Sequence, residues 1–161
     1  MRLRLDQANA LIGQIHLQYL EAVDRLRGFG VDMGWWDRGL TVYYPAKSDY
    51  FSAGDFSVHL TRASAWDVNL HELGHAVLAA GTRSWGGGGS HRMSQCYNQG
   101  LAWSEGFATF LAAVVRLDPK AEDPKFDELA GGIPIENVPG HVCAGDSNEW
   151  RVAAGLWDLY D

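Results

Sequence analysis

No stretch of this chain is apolar for the ~18–20 consecutive residues that a helix needs to cross a bilayer, so no helical membrane span is expected. Its opening, Met1-Arg-Leu-Arg-Leu5, lacks the apolar core of a signal peptide. Basic residues are few, 13 against 20 acidic ones, and never cluster beyond two or three. With a formal net charge of −7, this excludes a nucleic-acid surface. No internal repeat is present. Cysteine is limited to Cys96 and Cys143, which form either one disulfide in an oxidising compartment or two small buried residues. The disulfide is the favoured expectation, and with it a secreted or extracytoplasmic origin. What is not scarce is apolar residues, at 47% with 20% charged, which excludes disorder over most of the chain.

A length of 161 residues suits a single domain, 1–161. The last helical pattern runs to Asp161 with no Gly or Pro stop, so we expect a catalytic domain excised from a longer chain. Asp6 to about Arg27 reads as a helix, with Leu11, Ile12, Ile15, Tyr19, Leu20, Val23 and Leu26 on one broad face, ended by Gly28 and Gly30. Val31 to Arg38 is rich in turn residues. Leu40 to Tyr44 reads as a strand stopped by Pro45, and Phe56 to Leu60 as a second strand, half exposed and near a sheet edge. A helix from Ala65 to about Ala80 follows, with Ser64 as its N-cap and Gly81 at C′. Gly86 to Ser90 spell GGGGS, the sequence of a flexible linker, and a replaced loop is one reading of it. Helices over Leu101–Leu117 and after a capping-box-like Asp146-Ser-Asn-Glu149 complete the pattern, separated by a loop-like segment holding four of the five prolines. The order indicates an α+β domain with a small sheet packed on helices.

Within the helix after Ser64 lies His71-Glu-Leu-Gly-His75, the pattern H-E-x-x-H. One helical turn separates the two histidines and puts them on one face, where both imidazoles can bind one Zn²⁺. Glu72 lies about 100° round the helix, near enough to reach a water on the metal without ligating it. A carboxylate there can take the water's proton and pass it to a leaving amine. At average usage the pattern arises by chance in roughly one chain of this length in a few hundred. Its flanks argue further: Trp66, Val68, Leu70, Leu73 and Ala76 to Ala79 make the helix apolar nearly all round, so polar residues at its centre need a metal or hydrogen bonds.

A catalytic zinc needs a third protein ligand, and Glu105 in Trp103-Ser-Glu-Gly-Phe107 is the candidate. Small residues Ala108, Thr109 and Ala112 beside it would let another helix approach closely, with Gly74 as the matching gap. The plainer reading is a solvated helix glutamate.

His71-Glu-Leu-Gly-His75 followed by Ser104-Glu-Gly-Phe-Ala108 resembles the gluzincin group of zinc metallopeptidases, which includes thermolysin-like enzymes and M1-type aminopeptidases. The resemblance spans residues 64 to 115. It implies a zincin-like fold with a small, mostly antiparallel sheet packed on an active-site helix, a glutamate helix and flanking helices. It also implies a Glu third ligand, and an edge strand that aligns the substrate backbone, here Phe56–Leu60. The chain departs from the thermolysin-like pattern at Thr109, four positions after Glu105, where those enzymes carry an acidic residue, and it offers no motif for the Tyr or His that stabilises the oxyanion.

His141, Tyr97 and Tyr160 are candidates for that last role. His59 reads as an exposed strand residue. Asp67, one turn before His71, either orients its imidazole or answers the helix dipole. His91, Cys96, His141 and Cys143 are a conceivable structural zinc set, although their spacing fits no standard pattern. The expected function is hydrolysis of peptide bonds in a peptide or protein substrate, by a zinc-activated water with Glu72 as general base. The alternatives are a zinc-binding module or redesigned peptidase scaffold without turnover, and an interaction domain docking a partner through its N-terminal helix.

Overall fold

In the computed structural model, which describes residues 7–34, 39–82 and 88–161, the other elements are arranged about helix α2 (Trp66–Thr82). Its residues 69 to 78 are all buried, as an all-round apolar helix requires. On one side of it lie α1 (Gln7–Gly28) and a three-stranded sheet, and on the other α3 (Gln99–Arg116), which in turn carries α4 (Glu149–Trp157). The helix bounds match the sequence reading to within a few residues, but the caps differ. Ser64 is not the cap of α2: the helix begins one step later, with the Asn69 N–H donating to the Ala65 carbonyl at 2.9 Å. Gly81 lies inside the last turn instead of beyond it. Asn148, not Asp146, caps α4 and accepts from the Arg151 N–H at 3.0 Å. Its amide also donates to the Met93 and Gln95 carbonyls, tying the start of α4 to the segment before α3.

The sheet comprises β1 (Thr41–Tyr43), β2 (Tyr50–Ser52) and β3 (Ser57–His59) in the order β1-β3-β2. β1 pairs parallel to β3 and β2 antiparallel to it, so the sheet is mixed and not mostly antiparallel. The expected edge strand around Phe56–Leu60 is instead the central one, with Val58 and Leu60 fully buried. The edges are β1 and β2, and the three residues of β2 lie between turn formers and show no strand period long enough to read. His59 is accordingly not a free surface residue: its ring is stacked between Tyr43 and Tyr50, at 4.6 and 4.1 Å between centroids.

Two apolar clusters meet at α2. One joins α1, the sheet and α2 through Ile15, Phe51, Val58, Leu60 and Ala76. The larger joins α2, α3 and α4 through Leu70, Leu73, Leu111, Trp150 and Trp157. The α1 stripe is narrower than its sequence suggests. Ile15, Gln18 and Ala22 face inward while Ile12 and Leu20 are exposed, because buried Gln18 bonds the Ala63 carbonyl and the Asn69 amide. The proline-rich segment before α4 has little regular structure, yet Phe126, Leu129, Ile133, Ile135 and Val142 are buried in the larger cluster. Cys96 and Cys143 are disulfide-bonded and fasten that segment to the start of α3. The bond removes both cysteines from the conceived structural zinc set. Among the described residues no helix is long and apolar enough to cross a membrane. The expected start at Asp6, part of the turn-rich stretch 31–38 and the first part of the glycine loop 86–90 lie outside the described residues.

Candidate metal centre

His71 and His75 face α3 from the middle of α2, and Glu105 faces them from the second turn of α3; all three are buried. The Glu105 Oε2 stands 3.2 Å from His71 Nε2 and 3.2 Å from His75 Nε2, and the two Nε2 atoms are 3.1 Å apart. Donors 2.0–2.1 Å from a tetrahedral zinc lie about 3.3 Å from one another, so this triangle has the size of one face of such a site.

The segment Ser104 to Thr109 builds this arrangement residue by residue. Gly74 meets Ala108 across the helix contact so closely that a Cβ on Gly74 would stand 2.7 Å from the Ala108 Cα. Helices touching backbone to backbone bring a carboxylate on α3 within reach of imidazoles on α2. Thr109 Oγ1 lies 3.1 Å from His71 Nδ1, and Ser104 Oγ lies 3.3 Å from His75 Nδ1. When each Nδ1–H donates to its hydroxyl, both rings turn an Nε2 lone pair toward Glu105, the tautomer that metal binding requires. Thr109 thus fills, for His71, the position where an acidic residue was missed in the sequence. Gly106 serves the other side of α3: a Cβ there would stand 2.6 Å from the Val152 side chain and 2.8 Å from the Glu149 carbonyl, so α4 is held equally close.

The triad opens into a cavity of about 530 Å³. Glu72 lines it, buried at 7% exposure, and the Phe51 backbone N–H of β2 bonds its carboxylate. Burial pushes the Glu72 carboxyl up to about 7; Glu105 and Asp49 add to the shift, and His71 opposes it. For Glu105, burial is outweighed, when the His71 and His75 rings carry a proton on Nε2, by their hydrogen bonds and charge, which then hold the carboxyl below its ordinary range.

Other expected roles are not met. The Asp67 carboxylate points away from His71 and accepts the Glu128 and Leu129 N–H groups at 2.7 and 2.9 Å, so it fixes the proline-rich segment whose Leu129 and Ala130 wall the cavity. Tyr97, His141 and Tyr160 do not line the cavity. Tyr97 bonds Arg92 and Gln95, Tyr160 bonds Arg25, and His141 is exposed. Two residues whose place here the sequence did not reveal do line it: His91 and Glu149, with Nε2 and Oε2 3.3 Å apart. Burial pushes the Glu149 carboxyl up to about 6, against the pull of His91.

The family model of the mycolysin C-terminal domain matches residues 34–161 of this chain. The chain belongs to the mycolysin C-terminal domain family. That domain is part of a zinc metallopeptidase. The matched residues include all of α2, α3 and α4 and every residue that lines the cavity described above. No match was found among the curated proteins or the solved structures.

Proposed function

We propose that this mycolysin-family domain is a zinc-dependent peptidase, with His71, His75 and Glu105 as metal ligands and Glu72 as general base. One observation carries this reading: three buried ligand atoms converge to about 3.2 Å of one another, and each histidine has a hydroxyl beside its far nitrogen that can hold the proton there. With the protons held on the far nitrogens, these groups would repel one another and be costly to bury without a cation between them. Two imidazoles and a carboxylate are also the donor set of catalytic zinc sites that leave a fourth position open. A Zn²⁺ held there would supply Lewis acidity toward the scissile carbonyl and lower the pKa of water at the open position. Glu72, which lines the cavity beside the triad and is steadied by the Phe51 N–H, would serve as the general base, accepting a proton there and returning it to the leaving amine. β2 is an edge strand and lines the cavity, so it is the strand along which an extended substrate would add, in place of the central Phe56–Leu60 segment. The two packed metal-bearing helices beside a small sheet support a zincin-like fold. The disulfide supports a secreted origin, since such bonds persist in oxidising compartments.

A second reading is favoured by the family match itself, which is to a C-terminal domain of a peptidase: a module that binds zinc without turnover. Zinc content does not separate the two. Cleavage of a mixed peptide library, with and without chelator, does. The peptidase reading expects chelator-sensitive cleavage, and metal-loaded protein that cleaves nothing leaves the module.

A further inference from the structure

We propose that His91, Glu149 and the Glu105 carboxylate form a second site, for a first-row divalent cation, beside the first and sharing Glu105 with it. This rests on the reading of His71, His75 and Glu105 as the first site. The five side chains fall into two triads, His71–His75–Glu105 and His91–Glu105–Glu149, and within each the donor atoms lie within 4.8 Å of one another.

The independent observation is Glu149. It is 3% exposed, it faces the cavity, and neither of its carboxylate oxygens accepts a hydrogen bond. A carboxylate in that state is costly unless a positive group meets it. The nearest such group is His91, whose Nδ1–H is spent on the Gly89 carbonyl at 2.9 Å. That leaves His91 Nε2 directed at Glu149 Oε2, 3.3 Å away, and at Glu105 Oε2, 3.5 Å away; as a neutral ring it turns its lone pair to both. Again three acceptors converge, at the spacing expected when they share one ion.

The backbone fixes this meeting. Close packing at Gly106 seats the first turn of α4 on α3, which brings Glu149 beside Glu105, and the Asn148 cap fixes where α4 begins. One imidazole and two carboxylates suit Zn²⁺ or Mn²⁺ better than a soft, thiolate-seeking ion. The same Glu105 oxygen, Oε2, faces His71, His75 and His91, so this carboxylate would be the ligand shared between the two cations, as in two-metal hydrolases. The cavity would then carry a second positive centre on its α4 side.

Metal-free full-length chain titrated with Zn²⁺ against a chromophoric chelator tests this. Wild type is expected to take up two equivalents in two steps. Glu149→Gln and His91→Gln should each take up one and keep the tighter step, whereas His75→Ala should lose the tighter step. His91 stands on a loop, so His91→Gln carries the test if Glu149→Gln does not fold. A single equivalent in wild type, unchanged in both variants, overturns the second site and leaves the first standing; His91 then meets the carboxylates through a proton. Two equivalents retained in both variants also overturn it, because the second ion lies elsewhere. No uptake by wild type removes the first site, and the second with it.

Discussion

Gly74→Ala is a single methyl group placed where α2 and α3, the helices of the proposed metal ligands, touch. In an ordinary exposed helix the change is stabilising, by about 1 kcal/mol from propensity alone. Here the added Cβ would stand 2.7 Å from the Ala108 Cα, 3.0 Å from its carbonyl oxygen and 3.1 Å from its Cβ. Carbon atoms in contact prefer about 3.5–4.0 Å, so α2 and α3 must part locally by close to 1 Å. Overpacking of this kind costs about 1–3 kcal/mol, which cancels or outweighs the propensity gain and leaves a net loss of up to about 2 kcal/mol. The metal should feel it more than the fold does. A zinc ligand distance tolerates about ±0.2 Å, and the displaced helix carries Glu105 together with the two hydroxyls that orient the histidines. We therefore expect zinc affinity to fall by at least about 10-fold, as when outer partners of zinc ligands are removed. Urea denaturation of chelated protein reads the first effect, and zinc competition on folded protein reads the second. A variant as stable as wild type or more so, with unchanged zinc affinity, would refute the close-approach argument.

Further substitutions probe the same geometry. Thr109→Val and Ser104→Ala should each weaken zinc binding about 10–100-fold in a chelator competition while the far-ultraviolet spectrum stays unchanged. Glu105→Ala should make the bound zinc labile to dialysis, and Glu105→Asp, which keeps the charge but shortens the reach, should lower activity before it lowers stability; an exposed glutamate would tolerate either within about 0.5 kcal/mol. Asp67→Asn should cost about 1.5–3 kcal/mol in chemical denaturation, because a buried carboxylate that accepts two N–H groups of the 128–129 segment loses its charge. Reducing Cys96–Cys143 should cost about 2–5 kcal/mol, since the bond closes a long loop of 47 residues' separation.

The sequence carried the local elements of this site and little of what crosses between them. H-E-x-x-H was readable because His71, Glu72 and His75 lie on one helix, where spacing alone sets direction. The glutamate helix and its small-residue face were readable too, and Gly74 meets Ala108 as that face suggested. The hydroxyls on the imidazoles were not, because Thr109 and Ser104 act across the helix contact and no periodicity reports that. Asp67 misled for the same reason: one turn from His71 along α2, it is turned to a loop some sixty residues away. Glu149 resembled part of an N-terminal cap, but Asn148 caps the helix and frees the carboxylate for the cavity. β2 was missed because three residues between turns show no period, and that omission put β3 at an edge it does not occupy.

The central claim is that Glu72 moves the proton at a metal held by His71, His75 and Glu105. Its most direct test compares zinc-loaded wild type with zinc-loaded Glu72→Gln in the cleavage of one peptide, with metal content measured on the same samples. The account predicts equal zinc in both and a cleavage rate at least about 100-fold lower in the variant, since an amide cannot accept the proton. Near-wild-type cleavage by Glu72→Gln, at equal zinc, would contradict it.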